Sequence, residues 1–152
     1  MNIDFKLTTH EPVLTSQEAA DIRGVSLCSG AKAMVLKDCG KTLKNADFPF
    51  YLAVVAANRR FSSKAFKKLA GLKNFRFAST EEVFEWTGCI TGAVPPFGSL
   101  MTKPMPTFVD SSLAENEHIN FNCGLRTHSV AISYADYSRV ENVETTYKFT
   151  ED

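Results

Sequence analysis

Lys32 is the side chain whose type and setting most invite chemistry. It interrupts the small apolar run Ala31–Leu36 (AKAMVL), on the side that period-two alternation gives to Met34 and Leu36. An ammonium on an inward strand face must reach solvent, pair with an acid or meet an anion. A second feature is the stretch Thr87–Gly98 (TGCITGAVPPFG), with three glycines, two adjacent prolines and no charged residue. Glycine permits positive φ and close ligand approach, and proline fixes φ and removes a donor. Such a loop can offer N–H and C=O groups to a small polar ligand. Its centre, Gly92-Ala93-Val94-Pro95-Pro96, has Gly-x-x-x-Pro spacing. From pattern alone it fits equally well a plain turn between a helix and a strand. Asp110 closes the following MPTFVD; it either orients groups at a site or caps the turn Ser111–Ala114.

Net charge is zero, 17 basic against 17 acidic residues, but the distribution is uneven. Arg59–Arg76 holds seven lysines and arginines and no acid, including Arg59, Arg60, Lys64, Lys67 and Lys68. The segment from Glu141 to Asp152 is acid-rich. The basic stretch fits either a solvated helix face or a phosphate-binding patch. Cys28, Cys39, Cys89 and Cys123 are scattered, and His10, His118 and His128 stand at no ligand spacing, so no metal is expected. No histidine has an evident serine or cysteine partner for nucleophilic catalysis. Phosphate-loop and dinucleotide glycine motifs are absent, which weakens a general nucleotide-binding reading. No apolar run approaches the roughly 20 residues of a membrane span. MNIDFKLTTHE lacks a signal-peptide pattern, so a cytoplasmic protein with no membrane partner is expected.

The elements that must position these residues are legible in outline. Thr15-Ser16-Gln17-Glu18 reads as a capping box, with a helix near Ser16–Arg23 stopped at Gly24. Ala31–Leu36 reads as a strand, followed by a turn at Lys37–Gly40; Phe50–Ala56 reads as a strand buried on both faces. A helix begins at Ser62 or Ser63 and ends at Gly71, with Phe66 and Leu69 inward. Phe75–Ala78 is a short strand, and Ser79-x-x-Glu82 opens a helix reaching Gly88. Strands are expected at Thr107–Val109, Ile119–Asn122 and Val130–Ser133, and a helix at Ala135–Val140. From Glu141 the chain reads as a polar tail or linker. Strands and helices interspersed without a βαβ rhythm make a single α+β domain over residues 1–140, with 141–152 outside it.

Taken together, these segments resemble the YbaK family, the prolyl-tRNA-synthetase-associated editing domains. The carriers are TGCITGAVPPFG with the strand ending in Asp110, GAKAMVLK (Gly30–Lys37), NRRFSSKAFKKLAG (Asn58–Gly71) and THEPVLTSQEAADIRG (Thr9–Gly24). The resemblance runs from about Thr9 to Arg139 in the expected order. It implies a curved mixed sheet, partly closed like a barrel, with helices around it. It also implies hydrolysis of the ester of mischarged aminoacyl-tRNA, for a small amino acid such as alanine, serine or threonine, often on the proline tRNA. By resemblance Lys32 is the catalytic residue, holding the terminal phosphate or ester. Gly92, Ala93, Val94, Pro95 and Pro96 bind the aminoacyl group through their backbone, and Asp110 matches a recurrent acid. Asn122 and Gly124 fall where relatives place a histidine or a glycine pair. Ala33 stands where many relatives carry asparagine, serine or threonine, which leaves the amino-acid subtype open. The implied partners are aminoacyl-tRNA, gripped by the basic stretch, and a synthetase or multisynthetase complex; no cofactor is implied. A non-catalytic tRNA-binding or synthetase-docking module is the alternative.

Overall fold

The fold was obtained as a computed structural model, which describes residues 3–12, 16–39, 50–101 and 103–151. In chain order its strands are β1 (Phe5–Thr9), β2 (Ala31–Asp38), β3 (Phe50–Ala56), β4 (Arg60–Phe61), β5 (Phe75–Phe77), β6 (Thr107–Val109), β7 (His118–Asn122), β8 (His128–Ser133) and β9 (Thr150–Glu151). Its helices are α1 (Ser16–Arg23), α2 (Ser63–Ala70), α3 (Thr80–Thr87), α4 (Ser111–Ala114) and α5 (Tyr134–Glu141).

The central sheet has the order β5-β2-β3-β6 and is mixed: β3 pairs antiparallel with β2 and parallel with β6. All seven residues of β3 are buried, because alternate side chains enter two different cores. Phe50, Leu52 and Val54 join one cluster with Val83 of α3, Ile119 and Phe121 of β7, Ile132 of β8 and Tyr137 of α5. Tyr51, Ala53 and Val55 join the other with Phe66 of α2, Leu72 and Phe149. The second core is aromatic: the Phe66 ring lies 5.3–5.6 Å from those of Phe61, Phe75, Phe108 and Phe149. Much of the chain's phenylalanine is concentrated there.

A second sheet, β1-β8-β7, meets the first, among the described residues, through a parallel bridge from Gly30 to Asn120. The barrel-like expectation is therefore met as an open arrangement of mixed sheets, not a closed cylinder. β2 lies at the splay. One of its edges is paired with β3 along Ala31–Lys37. Its other edge meets β7 at Gly30 and β5 only from Leu36 onward.

Helix ends follow the local signals. Ser62 Oγ accepts from Ala65 N–H at the start of α2, and Ser79 with Glu82 forms a reciprocal capping box on α3. Thr15, the expected cap of α1, and Gly40, the end of an expected turn, lie outside the described residues.

The segment from Glu141, expected as a polar tail, is built into the fold. Phe149 is fully buried, β9 pairs with β4, and Tyr147 bridges Asp110. Its few apolar residues sit where the chain returns across the aromatic core, so a low average hydropathy concealed two anchor points.

Candidate aminoacyl-binding cavity

A cavity of about 700 Å³ opens where β2 lacks a strand on its outer edge. That size suits a small-molecule or nucleotide-sized group. Ala31, Ala33 and Val35 form its floor; α1 contributes Ala20 and Arg23, and α3 contributes Val83. Thr91, Gly92 and Val94 of the glycine-proline loop form the facing wall, with Asn122 and Arg126 at the side. The Val35 carbonyl accepts from Ala78 N–H at 2.9 Å, so this carbonyl points away from β3. By the strand's period of two, Ala33 turns its N–H and C=O the same way, toward the cavity.

The charge of the lining is one-sided. Arg23, Lys32 and Arg126 are present, and no aspartate, glutamate, histidine, serine or cysteine is among the described lining residues. Lys32 occupies the expected register, opposite Val55, but its side chain is exposed. Among the described residues no acid is paired with Lys32.

Arg23 is a site residue that sequence reasoning missed, as is Arg126. Read only as the last residue of a helix, Arg23 turns inward and donates three hydrogen bonds. Nε reaches Ser129 Oγ at 2.7 Å, Nη1 reaches Asn120 Oδ1 at 2.6 Å and Nη2 reaches Asn122 Oδ1 at 2.9 Å. All three acceptors are neutral. Burial pulls the Arg23 pKa below the ordinary arginine value. The signal available was an arginine directly before the Gly24 stop, a position that gave no reason to expect a long-range role. Around it, Ser129 Oγ also meets His10 Nε2 at 2.6 Å, and Asn120 Nδ2 donates to Ser29 Oγ at 2.8 Å. His10, for which sequence reasoning named no partner, is thus tied into the same network.

Of the expected substrate-binding residues, Gly92, Val94 and Asn122 line the cavity with Lys32. Ala93 and Pro96 are buried behind the loop and brace it. The Ala93 carbonyl accepts from Gly124 N–H at 2.8 Å, and the Pro96 carbonyl accepts from Tyr137 Oη at 2.7 Å. Pro95 is half-buried between them and does not line the cavity. Gly98 closes the loop against β6, where a Cβ would collide with Thr107 Oγ1.

Of the two readings of Asp110, the structure shows the cap on Ser111–Ala114 and corrects the substrate-binding role. Asp110 is fully buried, N-caps α4 through Ser112 N–H at 3.0 Å, and accepts from Phe149 N–H at 2.8 Å and Thr150 Oγ1 at 2.9 Å. It lines no part of the cavity. The carboxylate is consumed by backbone and hydroxyl donors that fasten the C-terminal segment.

The expected tRNA-contacting residues also stand apart from the cavity lining. Arg59 pairs with Glu115 at 3.5 Å, and Arg60 is exposed on β4. Lys64, Lys67 and Lys68 are exposed on α2, whose buried face is Phe66. Among the described residues, no group of three or more histidines, cysteines, aspartates or glutamates is placed to hold a metal. None of their helices is long and apolar enough to cross a membrane.

Comparison with known proteins places the chain in a family. The sequence model of the aminoacyl-tRNA editing domain matches residues 10–140. The multifunctional Ser/Thr-tRNA deacylase ProXp-y of Escherichia coli (strain K12) is 34% identical over 142 residues, covering 93% of this chain and 81% of that protein. A proline--tRNA ligase of Azoarcus sp. (strain BH72) is 28% identical over 131 residues, 82% of this chain but 21% of the ligase. A crystal structure described as a candidate trans-editing enzyme for prolyl tRNA synthetase superposes with a TM-score of 0.82 at 23% identity, covering 97% of this chain and 87% of that one. The chain belongs to the aminoacyl-tRNA editing domain family.

Proposed function

We propose that this protein hydrolyses the ester of mischarged aminoacyl-tRNA, releasing a small amino acid and the free tRNA. The observation that carries the reading is a cavity whose described lining residues include three cations and no acid, walled by the glycine-proline loop. The 3′ end of a charged tRNA offers matching chemistry: phosphodiester charge, a ribose and a small esterified amino acid. Lys32 holds the terminal phosphate, and the Gly92–Val94 wall together with the Ala33 edge fixes the aminoacyl group. With no aspartate, glutamate, histidine, serine or cysteine among the described lining residues, water attacks the carbonyl, helped by a hydroxyl of the terminal ribose. The protein's contribution is position and electrostatics.

Such an activity answers a known limit, since a synthetase pocket gains only about 1–3 kcal/mol of discrimination per methylene. The name of the Escherichia coli relative supports serine and threonine as candidate side chains. Thr91 and Asn122 are the neutral polar side chains on the wall that can meet a hydroxyl. The kinship with a segment of proline--tRNA ligases supports a cytoplasmic client drawn from the proline system.

The test is a panel of tRNAs charged with alanine, serine, threonine, cysteine or proline, incubated with the protein and with Lys32→Ala. Release from a mismatched pair, slowed roughly 100-fold or more in the variant, is expected. Binding of every tRNA with release from none would replace this reading with the docking module.

A further inference from the structure

Two consecutive carbonyls at the head of the loop are each held from a cationic side chain, one directly and one through a relay. Arg126 Nη2 donates to the Thr91 carbonyl at 2.6 Å. Asn122 Nδ2 donates to the Gly92 carbonyl at 2.8 Å, while Asn122 Oδ1 accepts from Arg23 Nη2 at 2.9 Å. Arginine has no acceptor, so it compels Asn122 to present its oxygen to α1 and its amide hydrogens to the loop. Gly92 sits at φ +91°, a conformation that leaves this turn free to take other shapes unless something holds it. Directly behind, Ala93 N–H bonds the Ile90 carbonyl at 3.0 Å and the Ala93 carbonyl takes Gly124 N–H at 2.8 Å. The turn is thus gripped by side chains from β7 and the β7–β8 connection, the former oriented by Arg23 of α1, all distant from it in sequence.

Resting on the deacylase reading above, we propose that Arg23 and Arg126 are positioning residues that clamp the Thr91–Gly92 turn. They set the aminoacyl-binding wall before substrate arrives. Group placement then costs nothing at the moment of reaction, which is where a preorganised wall lowers a barrier. The two arginines differ in what can replace them. Arg23 fills three acceptors with one rigid fork, which a lysine cannot reproduce. Arg126 makes one described bond, to a single carbonyl, which a lysine ammonium can also make.

The experiment measures single-turnover release from the charged tRNA that the panel identifies, for Arg23→Lys, Asn122→Ala, their double variant, Arg126→Met and Arg126→Lys. Arg23→Lys and Arg126→Met are expected to slow the maximal rate about 10- to 100-fold with half-saturation within about 3-fold. Arg126→Lys restores most of the rate, and the double variant is no slower than its slower parent. A raised half-saturation with an unchanged maximal rate would overturn the clamp and make the arginines anion contacts only. Amide hydrogen exchange at Ala93 and Gly124 gives a readout independent of activity. Faster exchange is expected in Arg126→Met and Arg23→Lys with both variants folded, and unchanged protection in Arg126→Met overturns the proposal. If the wild-type protein releases nothing from any tRNA, the deacylase reading fails while the exchange data still decide the clamp.

Discussion

Asp110 and Arg23 are chemical opposites solved in the same way. Asp110 accepts from Ser112 N–H, Phe149 N–H and Thr150 Oγ1; Arg23 donates to Ser129, Asn120 and Asn122. Each is a charged side chain held by three neutral partners. The difference is where the remaining capacity points. Asp110 is sealed with zero exposure, so its charge serves only the donors around it. Arg23 has two N–H groups beyond those three bonds and lies on the wall of a cavity that holds two further cations. A saturated, enclosed charge fastens chain to chain. One left open on a concave surface attracts an anion and orients what surrounds it.

The sharpest way to break this contrast is to remove the sealed charge. Asp110→Ala leaves the buried Phe149 N–H and Thr150 hydroxyl without their acceptor and uncaps α4. A loss of about 2–4 kcal/mol is expected. For a chain of this size that lowers the melting temperature by roughly 5–10 °C. Release rates per folded molecule stay at the wild-type value. Thermal melts with release assays on the folded fraction check both halves, and a collapse of the rate with unchanged melting would return Asp110 to the site.

This pair also marks where the sequence was legible. α1, α2 and β6 fall at their expected residues, because caps, glycine stops and period-two alternation are local signals. The loop was visible through its glycines and prolines, and Lys32 through its intrusion into an apolar run. Arg23 was missed, and Asp110 was foreseen only as a cap, because their other partners lie far along the chain, with Asp110 and Phe149 being 39 residues apart and Arg23 and Ser129 being 106. β1 escaped notice for a related reason. Phe5 and Leu7 stay exposed, and the strand exists through its ladder to β8, not through a buried stripe.

Glu82 sharpens the contrast from the acidic side. It accepts from Arg76 at 2.6 and 3.0 Å, from Ser79 N–H at 2.9 Å, and pairs with Lys37 at 3.0 Å. The Arg76 guanidinium first, then the Ser79 backbone and Lys37, hold its carboxyl well below the usual carboxylate range. A depressed folded pKa means this stabilisation is complete above the unfolded value near 4.5 and is lost as pH falls below it. The group is partly solvated, so Glu82→Gln is expected to cost only about 1 kcal/mol at pH 7. The difference from wild type should begin to shrink below about pH 4.5 and keep shrinking as pH falls further, in urea melts at stepped pH. A gap that is constant with pH would mean that neither the ion pairs nor the charged acceptor at Ser79 N–H contributes to stability.

The smallest effect belongs to the open basic face of α2. Lys64, Lys67 and Lys68 point to solvent away from Phe66, and none of them lines the cavity. If they track the tRNA backbone, replacing all three with glutamine raises the tRNA concentration needed for half-maximal release and leaves the maximal rate alone. Each phosphate no longer neutralised should also flatten the dependence of log affinity on log salt by about 0.7–0.9. The division of labour is then measurable in one titration. Charge on α2 sets how salt weakens encounter, whereas charge on the cavity wall sets what happens after it. A triple variant with an unaltered salt slope would leave Arg23, Lys32 and Arg126 to attract the tRNA as well as to hold its end.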